Sequence, residues 1–147
     1  MSLLVVHAAA TWALFGLIWM VQLVHYPLYA LVGAREFPAF EASHARRITP
    51  LVAPLMGLEL VTGGLLALDP PSAADALPLR VGFGLIVAIW LSTALLQIPC
   101  HARLERSFDP ATHRLLVATN WLRTAAWTVR AGLVAVVLEG ATAAGRS

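Results

Sequence analysis

The sequence predicts an all-α integral membrane protein, a single-domain four-helix bundle of up-down-up-down order. Of its 147 residues 59% are hydrophobic and only 12% are charged, and the mean hydropathy is +0.77. Four apolar runs stand out, at residues 3–24, 51–68, 81–98 and 115–138. A helix needs roughly 20 apolar residues to cross the hydrocarbon core. Because lipid offers no partners to backbone groups, runs of this length are expected to be helices.

The four spans are expected at about residues 3–26, 50–68, 80–99 and 114–138. The first has no basic residue before it and is too long for a signal peptide, so it is expected to be retained. It ends near "HYPLY", where Pro27 disturbs the helix. An amphipathic helical lead at residues 37–49 precedes the second span, which is expected to kink at Pro50 and Pro54. The proline-rich "DPPSAADALP" forms a turn, and Asp109 and Thr112 are candidate N-cap residues near the start of the fourth span, at His113.

The orientation follows from arginine alone, because the chain contains no lysine. One side of the membrane carries the loops at residues 30–50 and 101–114, with Arg35, Arg46, Arg47, Arg103, Arg106 and Arg114. The other side carries Arg80, Arg146 and both termini. Positive residues collect on the cytoplasmic side. The pattern predicts a bacterial inner-membrane protein with both termini outside.

Composition excludes two classes of function. A net charge of +2 on so apolar a chain does not form the basic stripe of a nucleic-acid-binding protein. The single Cys100 cannot form an internal disulfide, which removes paired-cysteine redox chemistry.

Histidines converge at one membrane face in this topology. The cytoplasmic ends of the four helices bring His25, His44, His101 and His113 there. Glu41 and His44 share a helix face at i and i+3, and so do His101 and Glu105 at i and i+4. Imidazole with carboxylate suits Fe, Zn, Mn or Cu. The sequence therefore predicts a transition-metal site with ligands from the set His25, Glu41, His44, His101 and His113; haem held by histidine is the alternative cofactor.

Polar stripes on the first and fourth helices predict the lining of a pocket. On a helical wheel the side chains of His7, Thr11, Ile18, Gln22, His25 and Tyr29 fall within about 60°. The fourth helix repeats polar and aromatic residues on one face: His113, Asn120, Arg123, Trp127 and Arg130. Buried arginine needs a partner. We expect Glu59, the only carboxylate well inside a span, to face Arg123 at similar depth, as a structural pair or with Asn120 as catalytic lining, while Arg130 binds a cofactor or reaches outward to a lipid headgroup.

Two resemblances follow from short motifs. In "VVHAAATW", in "LRVGFGLIVAIW" and in "HARLERSF" the chain resembles the haem-binding bacterial membrane protoporphyrinogen oxidases, which are also small four-helix proteins. That resemblance implies that His7 is a haem ligand and that Arg80 belongs to a porphyrin site. Through "NWLRTAAWTVR" the fourth helix is similar to the anthrone-oxygenase-like group of small membrane proteins.

The leading hypothesis is a metal- or haem-dependent oxidoreductase that acts on a lipophilic small molecule held among the helices and surrounded by membrane lipids. Two alternatives stay open. The polar stripes suit a transporter or ion-pathway subunit, which for so small a chain implies a homo-oligomer, and a non-catalytic accessory subunit of a membrane complex is the third possibility.

Overall fold

Four long helices make up the part of the chain that the computed structural model describes, residues 2–144. They are α1 (Ser2–Tyr29), α2 (Phe37–Leu68), α3 (Ala76–Leu104) and α4 (Pro110–Ala144). Residues 2–144 contain no strand. Each of the four helices is long and apolar enough to cross a membrane. The prediction of an all-α four-helix bundle is confirmed.

The helices form a ring in which α1 packs against α2 and α4, and α3 packs against the same two helices. His7, early in α1, hydrogen-bonds to Thr62, late in α2. Gly82, early in α3, accepts a hydrogen bond from Arg130, late in α4. These are the neighbours expected of an up-down-up-down order.

All four helices extend further than the predicted spans, and the extensions of α2 and α3 bear on the site. α2 begins at Phe37 and continues through Pro50 and Pro54, so the predicted lead and the second span are one helix. α3 continues to Leu104, which places His101 inside a helix. The loops predicted at residues 30–50 and 101–114 are therefore shorter in the structure, at residues 30–36 and 105–109. Arg146, part of the orientation argument, lies outside the described residues.

Two helices contain a widened π-turn, which the sequence analysis did not predict. The turn at Val21–His25 closes with a bond from the Tyr26 N–H to the Val21 carbonyl. The turn at Thr93–Gln97 closes in the same way from Ile98 to Thr93. Each turn ends two residues before a proline, Pro27 or Pro99. Proline lacks an N–H and clashes with the carbonyl four residues back, and a π-turn relieves that clash while it rotates the following side chains.

The distribution of polarity is the one expected in lipid. Large apolar side chains cover the outside, with Leu68 83% and Leu31 79% exposed. Charged and polar side chains, among them Glu41, Glu59 and Arg130, are buried inside. Ionisable residues within spans face the bundle interior and mark functional sites. The interior of the bundle is therefore where a site is expected.

Asp109 caps α4 as predicted. Its carboxylate accepts from the backbone N–H of Thr112 at 3.0 Å and of Ala111 at 3.2 Å. The Thr112 hydroxyl also donates to it. These bonds lower the pKa of Asp109 from its ordinary value of 3.8, and the bond from the Thr112 hydroxyl has the largest effect. Thr112 thus supports the cap and is not itself the N-cap residue.

Candidate functional site

His101 and Glu41 form the most buried charged contact at the end of the bundle where the histidines gather. The His101 Nδ1 bonds to Glu41 Oε1 in a short contact. Since a carboxylate can only accept, Nδ1 carries the proton and Nε2 is the acceptor nitrogen. The hydroxyl of Tyr26 lies 3.3 Å from that Nε2 and can donate to it. Glu41 therefore fixes the tautomer and orientation of His101.

His25 and His44 form a second pair beside the first. The His25 Nε2 lies 2.8 Å from the His44 Nδ1, so one ring donates and the other accepts. The rings of His44 and His101 have their centroids 6.0 Å apart. Tyr29 packs edge-on against both His25 and His44. We call the set of His25, Tyr26, Glu41, His44 and His101 the His/Glu cluster.

The predicted metal ligands thus come together, but as hydrogen-bonded pairs. The fifth of them, His113, stacks on Tyr29 and bonds to the Tyr26 carbonyl at 3.2 Å. Glu105 lies exposed. Residues 2–144 contain no group of three or more His, Cys, Asp or Glu side chains placed to hold a metal ion. As placed, four of the predicted ligands bond to one another in pairs, His25 with His44 and Glu41 with His101.

A pocket of about 250 Å³ adjoins the His/Glu cluster. Leu14, Ile18, Val52 and Met56 contribute to its apolar walls. Its polar lining consists of Tyr26, His44, Thr49, Thr93, Gln97, His101 and Arg123. A second cavity of about 350 Å³ shares His44, Ile48, Thr49, Ile98 and His101 with it. Thr49, Ala53 and Ile98 line the pocket and are exposed, so the pocket opens on the side of the bundle between α2 and α3.

Arg123 and Asn120, both predicted to contribute polar lining, lie deep in the bundle. The Arg123 Nη1 donates to Asn120 Oδ1 at 3.2 Å. Asn120 in turn donates to Gln22 Oε1 at 2.8 Å. The Arg123 guanidinium lies 5.1 Å from the centre of the Trp127 ring. Arg123 lines the pocket. Asn120 is not part of the lining and holds the Arg123 guanidinium through this hydrogen bond.

The predicted pairing of Glu59 with Arg123 is wrong. Glu59 pairs with Arg130, whose Nη2 lies 2.8 Å from Glu59 Oε1. The prediction placed Glu59 near the start of a span that begins at Pro50. Because α2 begins at Phe37, Glu59 lies further along its helix than expected. Glu41 and His113 lie at the same end of the bundle. Glu59 is 18 residues beyond Glu41 and Arg130 is 17 beyond His113, which is about 26 Å of helix in each case.

Arg130 is buried and fully bonded, so it does not reach outward. Besides Glu59 it donates to the Gly82 carbonyl at 2.6 Å and to Thr11 at 3.0 Å. Its Nη2 also lies 3.3 Å from the His7 Nε2. Thr62 donates its hydroxyl to the Leu58 carbonyl, so it accepts from the His7 Nδ1. Both nitrogens of His7 are therefore engaged within the protein.

Arg80 stands apart from the other two residues predicted to bind a cofactor. His7 and Arg130 contact each other, but Arg80 is exposed and bonds to the Ala67 carbonyl of α2 at 3.4 Å. It lines a separate groove with Gly64, Leu68 and Phe83. The arrangement thus does not bring the predicted haem ligand and porphyrin-site residue together.

Sequence reasoning missed Tyr26 and Gln97 as pocket residues. Gln97 is buried, donates to Thr119 at 2.9 Å, and leaves its Oε1 without a partner in residues 2–144. Both residues lie at a π-turn, immediately before Pro27 or two residues before Pro99. A hydrogen-bonding side chain just before a mid-helix proline is the signal that was available.

The fold and site define an α-helical bundle, with four helices that could cross a membrane, around a mostly apolar pocket that carries a few polar groups. No protein-family model, curated protein or solved structure matches the chain. The two family resemblances therefore stay predictions.

Proposed function

We propose that the protein is a membrane-embedded enzyme that binds a lipophilic small molecule in the pocket and moves a proton at its polar group. The observation that carries this proposal is the placement of His101. Glu41 holds its Nδ1, and the ring lines the pocket. A general base oriented by a carboxylate is a recurring arrangement in enzymes.

The proton transfer uses the protein's own groups. His101 Nε2 accepts a proton from an acidic C–H of the substrate, and the imidazolium that forms is stabilised by the Glu41 carboxylate. The same nitrogen then returns the proton. The Tyr26 hydroxyl, 3.3 Å from Nε2, holds the ring before the substrate arrives. A positioned acid–base group typically accelerates such a step by about 10² to 10⁴.

The apolar walls and the opening between α2 and α3 favour a substrate that arrives from the lipid. Ile98 lies at that opening and is largely exposed. Ligand pockets are mostly apolar with a few placed polar groups, as here. The oxidation predicted from the sequence needs an electron acceptor in addition to this proton transfer, and it stays a prediction. Dependence on a transition metal or haem stays a prediction, which elemental analysis and an absorption spectrum of the purified protein decide.

Identification of the bound molecule is the first test. The protein is purified in mild detergent and its small molecules are extracted and compared by mass spectrometry. Ala53→Trp places a large ring in the pocket lining, and Val61→Trp, at an exposed position of the same helix outside that lining, is the matched control. We expect a lipophilic molecule with an oxygen-bearing group in the wild type and in Val61→Trp, and its loss from Ala53→Trp.

The second test measures proton exchange. The extracted molecule is incubated with protein in D₂O and deuterium incorporation is followed. His101→Ala and Glu41→Gln are expected to abolish incorporation, whereas Glu139→Gln, an exposed glutamate at the opposite end, keeps the wild-type rate. Equal incorporation by His101→Ala and the wild type overturns the proposal.

A second candidate, an ion pathway, is favoured by the chain of buried polar groups along the bundle. Glu59 accepts a hydrogen bond from Trp127 and forms an ion pair with Arg130. The Arg123 guanidinium lies over the ring of the same Trp127. A proton-flux assay in liposomes separates the candidates. The enzyme predicts no flux, whereas an ion pathway predicts flux that Glu59→Gln abolishes.

We also propose that the His/Glu cluster faces the cytoplasm of a bacterial inner membrane, with lipids around the bundle. The arginine bias supports this orientation. In a Cys100→Ala background, an impermeant maleimide is expected to label Ser72→Cys in intact cells and Ser107→Cys only after lysis. Both positions are exposed, at opposite ends of the bundle. The reverse pattern of labelling inverts the orientation.

A further inference from the structure

Two arginines lie seven residues apart on α4, and their surroundings differ. Arg130 is 1% exposed and has the Glu59 carboxylate, the Gly82 carbonyl and the Thr11 hydroxyl as partners. Arg123 is 8% exposed and, within residues 2–144, has no carboxylate within 4 Å. Its one hydrogen bond in that part of the chain goes to the neutral side-chain oxygen of Asn120.

The free edge of Arg123 is the one suited to an anion. Asn120 occupies Nη1 and Trp127 covers a face of the guanidinium. Nε has no partner in the described residues, and Nε with Nη2 forms the edge that takes a carboxylate or phosphate through two parallel bonds. Arg123 lines the pocket. A ligand in the pocket therefore lies beside a guanidinium whose Nε has no partner in the described residues.

A guanidinium buried without a counter-ion is strongly unfavourable, because desolvation removes its water and nothing replaces it. The neutral side chains of Asn120 and Gln22 hold the guanidinium in place but do not neutralise its charge. Gln22 holds Asn120, and Asn120 holds the guanidinium. This is preorganisation of a cation toward a ligand that brings the negative charge.

We propose that Arg123 is the anion-recognition residue of the pocket and that its ligand is a lipophilic acid. An anionic oxygen of carboxylate, phenolate or phosphate type pairs with the Nε–Nη2 edge, and the apolar body lies against Leu14, Val52 and Met56. This inference rests on the proposed function in taking the pocket as the substrate site. It adds the substrate's charge and the residue that selects it.

The test compares a matched pair of probes, dodecanoate and dodecanol, which share an apolar chain and differ in charge. The full-length protein is placed in nanodiscs of zwitterionic lipid, and binding is measured by calorimetry and by tryptophan fluorescence, since Trp90 and Trp127 line the pocket. We expect the wild type to bind dodecanoate roughly tenfold or more tightly than dodecanol, the scale of a hydrogen-bonded charge.

Variants assign the preference to a residue. Arg123→Gln is expected to remove the preference by weakening dodecanoate binding, and Arg123→Lys to keep part of it. Arg80→Gln removes an exposed arginine at the other end of the bundle and is the control for general electrostatics. Retention of the full preference by Arg123→Gln overturns the inference. If Arg123→Gln fails to fold, the inference is tested by the affinities of the wild type and of Arg123→Lys for dodecanoate and dodecanol.

Failure of the inference and failure of the proposed function give different results. Equal wild-type affinity for the two probes overturns anion recognition and leaves the pocket as a binding site. No binding of either probe, or identical binding by Ala53→Trp, overturns the pocket itself. A further arm repeats the measurement with anionic phospholipid in the nanodisc. Displacement of dodecanoate there supports the anion site and identifies a lipid headgroup as the source, whereas undiminished binding supports a free acid.

Discussion

Arg130 and Glu59 form an ion pair in the centre of the bundle, with 2.8 Å between Nη2 and Oε1 and each side chain only 1% exposed. The carboxylate has further donors in Thr11 and Trp127. Every polar atom of this pair is satisfied within the protein, which is the condition under which a buried pair is tolerated. The pair therefore ties α4 to α1 and α2 and holds the depth of α4 in the bundle.

Removal of one charge from this pair is expected to destabilise the fold. Glu59→Gln leaves the Arg130 guanidinium without a counter-ion and is expected to lower the free energy of unfolding by roughly 3 kcal/mol. Unfolding is followed by circular dichroism in mixed detergent, with Glu139→Gln as the exposed control. The double variant Glu59→Gln with Arg130→Gln should lose less than the sum of the single variants. Additive losses contradict a direct pair.

Two glycines of α2 are expected to respond oppositely to alanine. A Cβ at Gly63 would lie 3.0 Å from His7 Cε1 and still closer to the Cδ1 of Ile86, which is fully buried and has no room to move. Such overpacking typically costs 1–3 kcal/mol, on the order of the effect expected for Gly63→Ala. A Cβ at Gly57 meets nothing within 4 Å. Gly57→Ala should therefore raise the unfolding temperature through helix propensity, and a loss at both sites contradicts the packing described.

The cap of α4 predicts a pH dependence. Because hydrogen bonds from Thr112 and Ala111 lower the pKa of Asp109, its carboxylate stabilises the folded state above the ordinary value of 3.8, and that contribution is lost as the pH falls through the lowered pKa. Asp109→Asn keeps an acceptor oxygen and should show a smaller acid-induced fall in unfolding temperature, whereas Asp109→Ala should start lower at every pH. Parallel pH profiles for the wild type and Asp109→Asn contradict this assignment.

The sequence was sufficient for the helices and for the end of the bundle at which the histidines meet. Apolar runs predict the spans, and an even number of crossings brings His25, His44, His101 and His113 to one end. The stripe on α1 also predicted which side chains are buried, because His7, Thr11, Gln22 and Tyr29 all face the interior. These features depend on local periodicity and on counting of helix ends.

Partner assignment required the structure. Glu59 pairs with Arg130. The apolar pattern predicted a helical lead at residues 37–49 but did not show that this lead and the second span form one continuous helix from Phe37. The π-turn at Thr93–Gln97 rotates the following helix, so the direction of His101 does not follow from a regular wheel. The pocket is the space left by packing between helices that are distant in the sequence, so its lining also had to be observed.

The last prediction supplies Arg123 with a counter-ion from within the protein. Asn120 accepts from the Arg123 Nη1 at 3.2 Å, and Asn120→Asp places a carboxylate of nearly the same shape there, although the Gln22 Oε1 loses the Nδ2 donor of Asn120. Neutralisation of the guanidinium should raise the unfolding temperature in the absence of ligand. The same change should abolish the preference for dodecanoate over dodecanol, because the ligand no longer provides the only negative charge.

Asn120→Leu is the matched control, since it also removes the amide but adds no charge. It leaves the Gln22 Oε1 and the Arg123 Nη1 without their partner and is expected to lower the free energy of unfolding by about 1–3 kcal/mol. A stabilised Asn120→Asp beside a destabilised Asn120→Leu assigns the difference to charge at Arg123. If Asn120→Asp keeps both the wild-type unfolding temperature and the wild-type preference for dodecanoate, Arg123 does not carry an uncompensated charge in the pocket, and another group must select the ligand.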